Sequence, residues 1–123
     1  MTATTAPLRF DGFHALGARR ITSTIFQAEP GSAVVVSWRL RDEHGARVIT
    51  PSAVRSATLT VPGAAPTAIR VSRVLGSYVI ATPISKSWVG KTVVVTVTLS
   101  DNTVHTAELR VRLNRRHTGG HDR

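Results

Sequence analysis

Arginines spaced two residues apart are the side chains in this sequence with the clearest capacity for chemistry. Arg39 and Arg41 form one such pair, and Arg110 and Arg112 form another. Because successive side chains of a β-strand point to opposite faces, this spacing puts both guanidinium groups of a pair on one face. Guanidinium groups bind phosphate and carboxylate oxygens through paired hydrogen bonds. If the two strands share a sheet, their arginines form one basic face, to which Arg70 can contribute from a third strand.

Three interpretations of this basic face are open. It can contact phosphates, as in a nucleic-acid-binding module. It can meet acidic neighbours in an assembly. It can also be an ordinary solvated sheet face whose edge charges discourage aggregation. Aromatic residues make up only 5% of the chain, and no platform of them interleaves the arginines, which argues against a sequence-reading binder of single strands. Arg115 and Arg116 lie in the C-terminal tail, where they can reach polyanions loosely.

The sequence offers no convincing catalytic or metal-binding arrangement. Asp42 and Glu43 are adjacent, but they fall in a predicted turn, where a solvated acid is ordinary. His117 and His121 are four residues apart, but in a Gly-Gly tail rather than on a helix. There is no nucleophile-elbow serine, no glycine-rich phosphate loop and no cysteine. We therefore expect a protein that is not an enzyme and that uses neither a cofactor nor a metal.

Length and composition predict one globular domain. The chain has 123 residues, a hydrophobic content of 41% and a net charge of +9. A domain of this size buries roughly two-thirds of the surface that its unfolded chain exposes, so it needs no disulfide or metal site in order to fold. The N-terminus lacks the pattern of a secretory signal, and the apolar stretches are far shorter than the roughly 20 residues that span a bilayer. We expect a soluble protein with no membrane partner.

The elements that must position the arginines are β-strands, because apolar and polar residues alternate with a period of two. Val36, Trp38 and Leu40 point one way along one segment, whereas Arg39 and Arg41 point the other way. The strongly alternating segments are residues 34–41, 57–61, 92–100 and 108–113. The weaker candidate strands are residues 21–26, 47–49, 69–74 and 78–82.

Turn signals separate these segments. Asp101-Asn102 lies between two alternating segments, where a hairpin turn belongs. Residues 75–77 form a tight turn between two weaker strands, and residues 85–90 can form one helical turn at most. About seven strands at this spacing are typical of antiparallel sandwiches and barrels.

The sequence divides into three predicted regions. They are an N-terminal arm over residues 1–19, a β-sandwich over residues 20–113 and a flexible basic tail over residues 114–123, which has no apolar residue. The predicted core consists of Val36, Trp38, Leu40, Leu59, Val61, Tyr78, Ile80, Val93, Val95, Val97, Leu109 and Val111.

The two tryptophans have different expected roles. Trp38 lies in mid-strand on the inward face, so it is the expected central aromatic of the core. Trp88 lies in the connection over residues 85–90. It either plugs one end of the sandwich or stands exposed as a contact for a partner, for example a sugar.

Several short motifs follow one another in a recognisable order. They are a strand, an Asp-Glu-His-Gly turn and a short strand ending near proline (36–51), Ala-Thr-Leu-Thr-Val (57–61), Gly-Ser-Tyr (76–78), Trp-Val-Gly (88–90), and a long Val/Thr strand with a closing hairpin. This order resembles the small immunoglobulin-like structural proteins of tailed bacteriophages and related particles. The resemblance covers about residues 32–113.

The resemblance implies an all-β fold, an immunoglobulin-like antiparallel sandwich of about seven strands, although this chain lacks a cysteine pair. It implies a virion role in capsid decoration, head–tail connection or the tail, and no catalytic residues. Partners would be other virion structural proteins, in a homo-oligomer or another symmetric assembly, after synthesis in the bacterial cytoplasm. The alternative function is a nucleic-acid-binding module that uses the arginine-rich sheet face.

Overall fold

Residues 7–113 are described by the computed structural model, and they form two β-sheets packed face to face. Over these residues no segment is α-helical, and two short 3-10 turns span Pro51–Ala53 and Lys86–Trp88. The strands are β1 (Arg9–Leu16), β2 (Arg19–Arg20), β3 (Ile25–Ala28), β4 (Ala33–Arg41), β5 (Arg47–Val48), β6 (Val54–Thr60), β7 (Thr67–Ala68), β8 (Ser72–Val74), β9 (Ser77–Pro83), β10 (Thr92–Leu99) and β11 (Val104–Val111).

Strand order identifies the fold. The first sheet has the order β1–β4–β9–β8, with β5 paired to the end of β4, and the second has the order β2–β3–β11–β10–β6–β7. All strand pairs within the described residues are antiparallel except β3 with β11. In immunoglobulin notation these sheets contain the strands A–B–E–D and G–F–C. The described residues therefore form an immunoglobulin-like β-sandwich, which confirms the predicted fold class.

The core lies between the two sheets because the long strands alternate apolar and polar residues. In β4 every second side chain from Val34 to Leu40 is buried, and β10 repeats the pattern with three valines and Leu99. Full burial of such a side chain contributes roughly 1.5–3 kcal/mol. All of the predicted core residues are buried except Val61, which is partly buried against the core.

The first strand is a correction to the predicted N-terminal arm over residues 1–19. Residues 9–16 form β1, which pairs with β4. Phe10 and Phe13 both face Trp38, with ring centroids 6.4 and 6.0 Å away. They are three residues apart because the register shifts between them, where Gly12 has a positive φ of 88°. This β-bulge breaks the period of two, so alternation in the sequence did not reveal the strand.

Gly17 marks the point where the chain leaves the first sheet for the second. β1 ends at Leu16, and β2 begins at Arg19 in the other sheet. Gly17 has φ +88°, and a Cβ built on it would overlap the carbonyl oxygen of Ala33. Only glycine fits this conformation at so close an approach. The predicted strand over residues 21–26 is correspondingly displaced to β3, Ile25–Ala28.

The remaining connections follow the sequence closely. The segment over residues 47–49 contains the short strand β5, and β8 and β9 form the predicted hairpin. β10 and β11 are joined at Asp101 and Asn102, where Asn102 adopts φ +69°. The predicted tail over residues 114–123 lies outside the described residues. Over residues 7–113, no helix has the length and apolar character needed to cross a membrane.

Candidate interaction surfaces

The predicted common face of Arg39, Arg41, Arg110 and Arg112 is wrong, because the two pairs lie on different sheets. Arg39 and Arg41 are on β4 in the first sheet, whereas Arg110 is on β11 in the second and Arg112 directly follows it. The outward faces of the two sheets lie on opposite sides of the sandwich. Arg70 lies in the connection between β7 and β8. Arg115 and Arg116 lie outside the described residues.

The first sheet instead forms an arginine row that the sequence did not reveal. Arg41 is the register partner of Arg9 on β1 and of Arg47 on β5. Its Nε donates to Asp11 Oδ2 at 2.8 Å, and its Nη1 donates to the Gly45 carbonyl at 3.1 Å. One signal could have placed Arg47: in a hairpin around the 42–45 turn, Arg47 lies opposite Arg41. Arg9 was hidden because β1 itself was missed.

Two arginines of the first sheet converge on the β8–β9 turn. Arg39 Nε donates to Ser77 Oγ at 3.2 Å. The Arg47 guanidinium lies over Gly76, since a Cβ added there would be 2.7 Å from Arg47 Nη1. The absence of a side chain at Gly76 therefore gives Arg47 its position at this turn.

Leu75 occupies the tip of the same turn in an unusual conformation. Val74 and Ser77 are register partners, so the turn has two residues, and both Leu75 (φ +50°) and Gly76 (φ +80°) are left-handed. Asn-Gly is the preferred pair for such a turn, and a left-handed L-residue other than glycine costs about 1–2 kcal/mol. Leu75 is also 92% exposed. A leucine here contributes neither turn stability nor core packing.

The residues around Leu75 define what we call the hairpin-tip surface. Ile49 is 52% exposed, and together with Arg73, Leu75 and Tyr78 it lines a depression of about 210 Å³. Arg73 Nη1 donates to the Ile49 carbonyl at 2.7 Å, which holds this arginine at the rim. The hairpin-tip surface consists of Arg39, Arg47, Ile49, Arg73 and Leu75.

A second cavity, the edge cleft, adjoins the hairpin-tip surface. It has a volume of about 260 Å³ and is lined by Arg55, Ile69, Val71, Arg73 and Tyr78, among others. Arg73 and Tyr78 belong to both cavities. Among the described residues lining either cavity, none carries a carboxylate. The two cavities therefore form one continuous basic and apolar surface at the open side of the sandwich.

Tyr78 forms the floor of this surface. Its ring is buried, and its hydroxyl lies 2.7 Å from the Thr50 carbonyl and 3.0 Å from the Val48 carbonyl, to either of which it can donate. Burial raises the pKa of Tyr78 above its ordinary value, against the opposing charge of Arg73. The phenol therefore stays a hydrogen-bond donor that ties the loop after β5 to β9.

Trp88 lies in the 3-10 turn Lys86–Trp88 at the end of the sandwich. It is partly buried and packs against the core. This position agrees with the end-plug interpretation rather than with an exposed aromatic contact.

The acidic residues of the 42–45 turn have structural roles, because Asp42 accepts hydrogen bonds from the backbone of the turn. Asp42 Oδ1 accepts hydrogen bonds from the N–H groups of His44 and Ala46, both at 2.9 Å. The hydrogen bond from Ala46 is the largest cause of the lowered pKa of Asp42. Glu43 lies 3.8 Å from His44. Across residues 7–113 no three His, Cys, Asp or Glu side chains come together as metal ligands would.

A cluster near the start of β1 fastens that strand to the β10–β11 hairpin. The Leu8 N–H donates to Asp101 Oδ2 at 2.9 Å, and Asp101 Oδ1 accepts from the Thr103 N–H at 3.0 Å. Burial raises the pKa of Asp101, but the hydrogen bonds from Thr103 and Leu8 outweigh it and lower the pKa overall. The His105 ring stacks on Phe10 with centroids 4.0 Å apart and planes 6° apart.

Protonation of His105 should weaken this attachment. Burial lowers the pKa of His105 below its ordinary value of 6.5, against the opposing charge of Asp101. Between the folded and unfolded pKa values the unfolded chain binds more protons, so stability falls as pH decreases below 6.5. We expect urea unfolding between about pH 8 and about pH 5 to show this loss.

The pH dependence has a matched pair of variants. His105→Phe keeps an aromatic ring beside Phe10 but cannot bind a proton, so this part of the pH dependence should disappear. His44→Gln replaces an exposed histidine in a turn, and this part of the pH dependence should remain in that variant. An unchanged pH profile in His105→Phe would show that another group titrates.

No family model matches the sequence, and no curated protein matches it. Among solved structures, the chain is similar to a chimeric titin Z1Z2-Z1Z2 tandem functionalized with a GRGDS peptide from fibronectin. The sequence identity is 15%, the TM-score is 0.47, and the match covers 89% of this chain and 51% of that chain. This chain thus spans about half the length of the titin tandem. Its own strand order and pairing identify it as an immunoglobulin-like sandwich.

Proposed function

We propose that this chain is a non-enzymatic structural subunit of a tailed-phage or phage-like particle, in capsid decoration, head–tail connection or the tail. It acts by binding neighbouring subunits in the virion, after synthesis in the bacterial cytoplasm. The observation that carries the proposal is Leu75, an almost fully exposed leucine in a left-handed turn. Folding gains nothing from this residue, whereas a subunit contact would bury it.

The charges around Leu75 indicate the nature of the neighbour. Arg39, Arg47 and Arg73 surround the turn, and none of the described residues that line the adjoining cavities is acidic. A neighbour with acidic groups would be steered toward this surface and held in register. Leu75 and Ile49 would then supply the apolar centre that protein contacts use.

The second sheet offers a surface of different character. Along β6 and β10 the outward positions are Ser56, Thr58, Thr60, Thr92, Val94, Thr96 and Thr98, and none of them is charged. The sandwich thus presents an arginine-bearing face on the first sheet and a neutral area over β6 and β10 of the second sheet, in which the charged residues Arg19, Glu108 and Arg110 lie on β2 and β11. Two unlike faces suit a subunit with different neighbours on its two sides, as in a homo-oligomer or another symmetric assembly.

Nucleic-acid binding is the alternative, and the row of Arg9, Arg41 and Arg47 is the observation that favours it. It explains less of the surface, because phosphates give no reason for the exposed Leu75 and Ile49. It also predicts binding that weakens steeply with salt for any polyanion.

Particles purified from the source should contain this chain as a stoichiometric component in quantitative mass spectrometry. In particles assembled with variants, Leu75→Asn should lower incorporation because it removes the apolar contact while suiting the turn. Arg19→Glu, an exposed change on the second sheet, is the control and should incorporate normally. Absence of the chain from the particle, or equal incorporation of Leu75→Asn, would contradict the proposal.

A further inference from the structure

We infer that the edge cleft and the hairpin-tip surface together bind an extended acidic segment of a partner protein, with an aliphatic side chain of that segment against Leu75 and Ile49. This inference rests on the proposed role as a binding subunit and adds the chemistry of the partner. The shape, the charge and the apolar content of the surface each support it.

The shape suits an extended chain. β8 pairs with β9 on one side and, among the described residues, has no partner strand on the other. The edge cleft lies beside it, with walls from Ile69 and Val71 on the connection that leads into β8. Extended peptides add to free sheet edges, where the backbone supplies hydrogen bonds and adjacent pockets take side chains.

The charge suits carboxylates. Within the described residues, Arg55 and Arg70 have no hydrogen-bond or ion-pair partner, and Arg73 uses one N–H for the Ile49 carbonyl. Arg55 and Arg73 line the edge cleft, which has no acidic residue among its described lining residues, whereas Arg70 lies between the lining residues Ile69 and Val71 without lining the cleft itself. Carboxylates pair with such groups through two parallel hydrogen bonds. An acidic segment would therefore neutralise charges that the fold itself leaves unpaired.

The apolar content favours a protein segment over a nucleic acid. Leu75 is 92% exposed and Ile49 52% exposed, and both line the depression that continues into the cleft. Tyr78 is the aromatic residue among the described lining residues, and its ring is buried as the floor. Bases need an exposed ring on which to stack, whereas leucine or isoleucine side chains can pack directly against Leu75.

Replacing Leu75 should change stability and peptide affinity in opposite directions. Asparagine tolerates the left-handed conformation of this turn better than leucine. Leu75→Asn should therefore raise the melting temperature of the isolated chain while weakening peptide binding about threefold to tenfold. Opposite changes in stability and affinity are expected of a residue retained for contact and not for folding.

The binding test uses a fluorescein-labelled peptide of sequence SGDELDELDS and fluorescence anisotropy with the full chain. We expect Arg73→Glu to weaken binding by about tenfold or more. Arg19→Glu makes the same change in net charge at the far edge of the second sheet and should change the affinity less than about twofold. Thermal melts of both variants confirm that they remain folded.

Two further probes separate the chemistries. The peptide SGDESDESDS keeps the charges but lacks the leucines, and a ten-nucleotide oligothymidine carries phosphates; both should bind more weakly than the first peptide. Equal losses in Arg73→Glu and Arg19→Glu, equal binding of the leucine-free peptide or the oligothymidine, or no peptide binding would overturn the inference. Peptide binding by a chain that is absent from particles would instead overturn the virion proposal alone.

Discussion

Replacing Trp38 by alanine is expected to lower the free energy of unfolding by about 3–5 kcal/mol. The indole is fully buried and packs among three aromatic rings. The centroids of Phe10, Phe13 and Tyr78 lie 6.4, 6.0 and 6.1 Å from its own. These rings come from strands on both sides of β4, so the cavity left by alanine would have walls that cannot easily collapse. Urea unfolding monitored by far-ultraviolet circular dichroism measures the loss.

The matched variant is Trp38→Phe. Among the described residues Trp38 Nε1 has no hydrogen-bond partner although it is buried, and an unsatisfied buried donor costs about 1–3 kcal/mol. Phenylalanine removes that donor but fills less space, so its net loss should be well below that of alanine. If alanine is nearly neutral, Trp38 is not the centre of the core. If phenylalanine is as damaging as alanine, the indole N–H has a partner in solution.

Gly17→Ala should be the second most damaging substitution, with an expected loss of about 2–4 kcal/mol. The reason is twofold, because alanine disfavours φ +88° and its Cβ would overlap the Ala33 carbonyl oxygen. The backbone there carries the chain from one sheet to the other, so it has little freedom to move away. Chemical unfolding of the purified variant tests the magnitude.

Gly63→Ala separates the two causes. Gly63 has a similar φ of +86°, but a Cβ added there meets no atom within 4 Å. Its expected loss is therefore the conformational cost alone, about 1–2 kcal/mol. Equal losses at Gly17 and Gly63 would contradict the steric argument and leave only the backbone conformation.

Strict alternation made most of the fold predictable. β4 and β10 carry a buried residue at every second position, and period two is a local signal that a sequence shows directly. β1 was missed for the same reason, because the bulge at Gly12 gives Phe10 and Phe13 a spacing of three. A single inserted residue is enough to remove the period-two pattern of a strand from the sequence.

The candidate surface was only partly predictable. Spacing placed Arg39 and Arg41 on one face of their strand, but it could not show that β11 belongs to the other sheet, since sheet membership is decided by contacts distant in sequence. The tight turn at residues 75–77 was visible in the sequence. The arginines around the exposed Leu75 were not predictable. Arg47 and Arg73 are brought to this turn by the fold, and not by their spacing in the sequence.

The position of the last strand also bears on how the chain folds during synthesis. β11 lies between β3 and β10 in the second sheet, and its register partners in β3 are Ile25–Ala28. Until β11 has been synthesised, β3 can pair only with the two-residue strand β2, and the edge of the valine-rich strand β10 that faces β11 stays unpaired. Contacts between such distant segments slow folding, and unpaired strand edges promote aggregation. The nascent chain is therefore prone to mispairing at these two strand edges until β11 has been synthesised.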